Sequence, residues 1–61
     1  MNNQMLIAGE LYEGIQLHNT PSEMAELTEY EVFHTVECEY PELSNEHKHE
    51  VSDYIMSMIR S

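Results

Sequence analysis

Apolar residues recur along the chain in four blocks separated by short polar breaks. In the first block Met5, Ala8, Leu11, Tyr12 and Ile15 fall at helical spacing on one stripe, with Glu10 and Glu13 off it. That pattern predicts a helix over 3–17. Gly9 and Gly14 interrupt the segment, each at a cost of about 1 kcal/mol relative to Ala. They are isolated, so they mark close packing or a bend rather than a phosphate-cradling loop. Leu6, Ile7 and Leu17 lie off the stripe: either they face a second partner surface or the segment is not a simple surface helix.

After His18-Asn19, the run Thr20-Pro21-Ser22-Glu23 has the form of a helix start. Thr20 caps, Pro21 suits the first helical position, and Glu23 completes a capping box. Met24, Ala25 and Leu27 follow, giving a short helix over 21–28. Residues 29–40 satisfy two periods at once. As a strand, Tyr30, Val32, His34, Val36, Cys38 and Tyr40 share one face, and Glu29, Glu31, Phe33, Thr35, Glu37 and Glu39 share the other. As a helix over 29–39, Thr28-Glu29-Tyr30-Glu31 is a second capping box, and Val32, Phe33, Val36 and Tyr40 form a stripe. The helix is preferred, because a lone strand needs a partner and no other segment supplies an equally clear one. Pro41 stops this segment. Ser44 caps a last helix over 44–60, in which Val51, Tyr54, Ile55 and Met58 form the stripe, with His47 one turn earlier and Arg60 near the C-terminal end of the dipole. The expected fold is therefore mostly α, one small acidic domain over 1–61, with three or four short helices at about 3–17, 21–28, 29–39 and 44–60. The alternative is α+β with a strand at 29–40.

Charge alters this picture most. The 61 residues carry twelve Asp and Glu against two Lys and Arg, a formal charge of −10. Only Lys48 and Arg60 are available to contact phosphates, so direct nucleic-acid binding and attachment to an anionic membrane are excluded. At 41% apolar residues, the chain is not an ordinary disordered acidic tail. A chain this short buries only about 60% of its unfolded surface, so its core is marginal, and either self-association, as in a homodimer, or a fold stabilised by a partner is expected. The apolar run Met5-Leu6-Ile7-Ala8 is far too short to span a bilayer and lacks the flanks of a signal peptide. With the single Cys38, this points to the cytoplasm.

Ten acids against one base lie between residues 20 and 53, a balance of −9. On a continuous helix Glu23, Glu26 and Glu29 would recur every ~4.5 Å along the axis. On a strand, Glu29 with Glu31 and Glu37 with Glu39 would each be ~6.6 Å apart on one face. Either arrangement aligns carboxylates in rows with the sign and spacing scale of a phosphate backbone. Tyr30, Phe33 and Tyr40 stand among them as apolar anchors of the kind interfaces need.

Groups that could carry reaction chemistry are few. His34 and Cys38 are four apart, but Glu37 and Glu39 flank the cysteine and disfavour thiolate. Cys38 therefore reads as a small apolar residue, buried or half-buried. Glu46-His47-Lys48-His49-Glu50 with Asp53 is the one ligand-rich cluster, and it lacks the four-ligand set of a structural zinc site; it reads as a polar helix face with His47 partly packed. No metal and no cofactor are expected. Thr20–Glu39 has the outline of a helix-turn-helix, but its second helix would present carboxylates and could not approach phosphates.

The expected function is non-enzymatic: an acidic protein that binds and inhibits or modulates a protein with a basic working surface, a nuclease or another nucleic-acid-binding protein, by nucleic-acid mimicry. In composition alone it resembles the small acidic inhibitors that phages and mobile elements direct against host nucleases in anti-defence. The expected partner-binding residues are Glu23, Glu26, Glu29, Tyr30, Glu31, Phe33, Glu37, Glu39 and Tyr40. The alternative is a small adaptor or antitoxin-like protein that binds through an apolar helix face, with Tyr54, Ile55 and Met58, or Leu11 and Ile15, in contact.

Overall fold

The structure is a computed structural model that describes residues 3–61. Within them the chain forms helices α1 (Asn3–His18), α2 (Pro21–Glu26), α3 (Glu29–Glu39) and α4 (Asn45–Arg60). No strand occurs among the described residues, so the α+β alternative with a strand at 29–40 falls. Local chemistry and packing both favour the helix there. The Thr28 hydroxyl accepts the Glu31 N–H at 3.2 Å, and Glu31 Oε1 accepts the Thr28 N–H at 3.1 Å. Helical winding also brings Val32 and Val36 together into the core, free of the polar His34 that a strand would set between them on the same face.

The breaks between helices follow from individual residues. Pro21 restricts the residue before it to extended conformations, and Thr20 has φ −75° and ψ 163°. From there Thr20 and Glu23 close a reciprocal box, with Thr20 N–H donating to Glu23 Oε1 at 2.7 Å. Just before it, Asn19 Nδ2 donates to the Ile15 carbonyl at 2.8 Å and satisfies one of the last carbonyls of α1. α2 is shorter than the expected 21–28. Leu27 and Thr28 are both extended, because a residue that caps α3 cannot also continue α2. Pro41 similarly takes Tyr40 out of the helix, and the Leu43 N–H donates to the Tyr40 carbonyl at 3.2 Å to close the turn into α4. Ser44 Oγ accepts the His47 N–H at 3.2 Å as the cap of α4.

α4 is the helix on which the others lie. α1 packs along one side of it and α3 along another, and α2 touches both α1 and α4. The core holds Ala8 and Ile15 from α1, Met24 from α2, Val32 and Val36 from α3, and Val51, Ile55 and Met56 from α4. The stripe of α4 differs from the expected one. Lys48, Val51, Ser52, Ile55 and Met56 are the buried set, whereas His47 is exposed and Tyr54 and Met58 are half-buried. The buried face is thus rotated by about a quarter turn from the row of purely apolar residues. It is wide because two helices cover it. The aliphatic stem of Lys48 extends the apolar surface while its Nζ lies 3.7 Å from Glu37 Oε2. Ile7, read as lying off the stripe of α1, also packs against the core. The two glycines do not mark close packing: a Cβ at Gly9 or Gly14 meets nothing within 4 Å.

Ser52 is 1% exposed and its hydroxyl finds no hydrogen-bond partner among the described residues. Ser52→Ala therefore relieves a desolvation penalty and improves helix propensity. It should stabilise the fold by about 1 kcal/mol, a rise of about 4–8 °C in Tm in a circular-dichroism melt. Ile55, fully buried, has the opposite sensitivity. Ile55→Ala should cost about 2–5 kcal/mol, comparable to the whole stability of a domain this small, and abolish the cooperative thermal transition.

Candidate partner-binding surface

None of the twelve acids is buried: Glu50 is half-buried and the rest are exposed. Among the described residues a single one, Glu37, lies within ion-pair distance of Lys or Arg. The carboxylates do not form the expected rows. Glu23 and Glu26 share α2, but the extended Leu27 and Thr28 separate them from Glu29, which opens a different helix. On α3, Glu29 and Glu31 project about 200° apart around the axis, as do Glu37 and Glu39. Two of the acids also have structural roles, since Glu23 and Glu31 accept the N–H groups of Thr20 and Thr28. The six acids of α2 and α3 are all exposed and spread around the two helices rather than aligned as a ladder.

What the fold does bring together is a crevice between α1 and α3. α1 and α3 run antiparallel on either side of it: Glu10 and Leu11 face Glu39 and Tyr40 at one end, and Ile15 and Asn19 face Leu27 and Glu31 at the other. Two adjoining hollows of 360 and 460 Å³ share Ile15, Asn19 and Thr35. A third hollow, of 280 Å³, continues past Asn19 and Leu27 to Glu23 and Glu26. Five carboxylates, Glu10, Glu23, Glu26, Glu31 and Glu39, border these hollows, and neither Lys48 nor Arg60 does. At one end the Tyr40 hydroxyl donates to Glu10 Oε2 at 3.3 Å and ties the two walls together. Burial, the nearby Glu10 charge and that hydrogen bond hold the Tyr40 phenol above its ordinary pKa of 10, with Glu39 and Glu42 adding to the effect. A raised folded-state value means this contribution to stability is complete below about pH 10 and is lost as the pH rises further.

The aromatic anchors divide. Tyr30 is 79% exposed on the outer side of α3 at the mouth of the crevice. Phe33 turns toward α4 and stacks on the His49 ring, with centroids 4.5 Å apart. Phe33 is therefore a half-buried structural contact, and the ligand-rich segment of α4 gives one of its imidazoles to this stack. Among the described residues no three His, Cys, Asp or Glu side chains converge as a metal site would require. Cys38 is exposed, contrary to its reading as a packed residue, and its Sγ lies 3.5 Å from His34 Nε2. Both sit on the outward face of α3, away from Val32 and Val36. The face proposed for an apolar adaptor is largely consumed by the fold. Ile55 and Ile15 are core residues, and Tyr54, Met58 and Leu11 pack against the core.

Asn19 and Thr35 had no site role in the sequence, and Gly14 stood there only for close packing or a bend, yet all three line the crevice. Their only local signal was negative: small or uncharged residues in a chain otherwise rich in acids. No helix among the described residues is long and apolar enough to cross a membrane.

With twelve surface carboxylates and one ion pair among the described residues, self-repulsion outweighs attraction and salt should relieve it. Raising NaCl from about 10 mM to about 500 mM should raise the Tm by several degrees, on the order of 1 kcal/mol. A flat or falling Tm would show that attractive pairs dominate instead. Comparison with family models, with curated proteins and with solved structures gave no match.

Proposed function

We propose that this chain is a non-enzymatic acidic protein that binds a protein with a basic working surface, a nuclease or another nucleic-acid-binding protein, and inhibits or modulates it. The observation that carries this reading is that the fold leaves all twelve carboxylates outside its core and neutralises, among the described residues, one of them. Folding this charge into a small domain is unfavourable, and a basic partner turns the same charge into binding free energy and a fast association rate. Mimicry of nucleic acid, in this form, rests on the sign and density of the field around α2 and α3 and not on a regular phosphate-like row.

A second reading, a small adaptor or antitoxin-like protein, draws support from Leu6 and Leu17 of α1, 52% and 84% exposed. They project to one side of α1, about 16 Å apart along its axis, as two separate apolar anchor points.

The two readings separate in one measurement. Capture of purified basic nucleases and DNA-binding proteins by the immobilised chain should weaken steeply as salt rises. Changing Glu29, Glu31, Glu37 and Glu39 together to Gln should weaken it by about tenfold or more, with a shallower salt slope. Gln keeps the capping role of Glu31, so the helix start survives. If that variant binds as well as the parent while Leu6→Ala with Leu17→Ala does not, the adaptor reading stands and the charge reading is wrong.

A further inference from the structure

α1 and α3 both pack on α4, yet they do not close on each other along the crevice between them. Ile15 and Val32, buried in the core, form its floor, and Leu11, Gly14, Leu27, Tyr30, Thr35 and Tyr40 offer the accessible surface above it. Its borders carry Glu10, Glu31 and Glu39. From Glu10 to Asn19 it follows α1 for about 14 Å, the length of a helix of about nine or ten residues. Gly14 deepens it, since a Cβ there would meet no other atom within 4 Å. α1, α3 and α4 thus form an arrangement in which one further helix would complete a bundle.

We propose that this crevice is a helix-binding groove, and that its occupant is a basic amphipathic helix of the partner protein. The inference rests on the reading above, that the partner is basic, and assigns where and how it docks. Apolar side chains at i, i+3, i+4 and i+7 of the incoming helix would cover Leu11, Leu27 and the rings of Tyr30 and Tyr40, while Lys or Arg beside them would meet Glu10, Glu31 and Glu39. Charge selects this occupant over a second copy of the chain. A second copy carries the same −10. Its most exposed apolar face, Leu6 with Leu17 on α1, is interleaved with Glu10 and Glu13, which would be set against the bordering carboxylates.

The test uses three synthetic peptides of about twenty residues, blocked at both ends. The first is an amphipathic Leu/Ala/Lys helix; the second has the same apolar pattern with Glu for Lys; the third is a scramble of the first. Binding is read by fluorescence anisotropy and mapped by amide chemical shifts on the intact chain. The Lys helix should bind with a Kd on the order of micromolar and at least tenfold more tightly than its scramble, with shifts concentrated at Leu11, Gly14, Ile15, Val32 and Thr35. Gly14→Trp, which fills the groove, should weaken that binding about tenfold and leave the scramble unaffected, with Gly14→Ala as a control for helix integrity. Glu39→Lys, favourable to the end of α3 through the helix dipole, should weaken the Lys helix and strengthen the Glu helix, which guards against loss of folding in the Trp variant. Equal binding of helix and scramble, with shifts spread over the acidic surface, overturns the groove and leaves the basic-partner reading intact. Failure of both basic peptides counts against groove and reading together. A dimer of the free chain that Gly14→Trp dissolves overturns the proposed occupant in favour of a second copy.

Discussion

Val51, Ile55 and Met56 of α4 provide the apolar surface that the rest of the chain shares. No other helix buries as many side chains: α1, of the same length, buries two. α2 has six residues and contributes one buried side chain, and α3 contributes two. Each gains stability by covering a different side of α4, so the stripe of that helix has to be wide. Width explains the buried Lys48: at the end of the stripe, a long stem with a charge at its tip covers apolar surface and still delivers its ammonium to Glu37. It also explains why Ser52, small enough to sit between two neighbours, is buried without a hydrogen-bond partner among the described residues.

The acidic field is the counterpart of that arrangement. A core drawn from eight buried apolar residues leaves almost every carboxylate on the surface, where water solvates it and repulsion is spread. The chain lessens the local cost by giving some acids structural work. Glu23 and Glu31 sit at helix N-termini, where the exposed N–H groups and the dipole favour negative charge. Glu10 and Glu39, with Glu31 itself, border the crevice between α1 and α3. Charge and cavity therefore coincide at one place on the molecule, on the side that Lys48 and Arg60 do not reach.

The capping boxes were the most legible feature of the sequence. Thr20 with Glu23 and Thr28 with Glu31 each place a hydroxyl and a carboxylate three residues apart, and that geometry acts within one turn whatever the rest of the fold does. Pro21 and Pro41 are legible for the same reason, since each restricts the residue before it. The face of α4 was less legible. Reading apolar residues alone favours Tyr54 and Met58, while packing between two neighbours selects Lys48, Ser52 and Met56. The carboxylate rows fail for two reasons: the extended Leu27 and Thr28 part Glu29 from Glu23 and Glu26, and the helix sends Glu29 and Glu31 to different sides where a strand would align them. Gly14 and Thr35 carried no mark of the crevice they line, because a groove is a relation between two helices.

The sequence by itself determined where α2, α3 and α4 start and, at Pro41, where α3 must stop, that the chain is mostly α, and that its surface is acidic. These depend on caps, prolines and composition, which act over a few residues or on the chain as a whole. The tertiary structure decided which side of each helix is buried, that Phe33 packs on His49 while Tyr30 stays in water, and that α1 and α3 stand apart along α4. Those outcomes depend on how three helices divide the surface of a fourth, and no local pattern in the chain specifies that division.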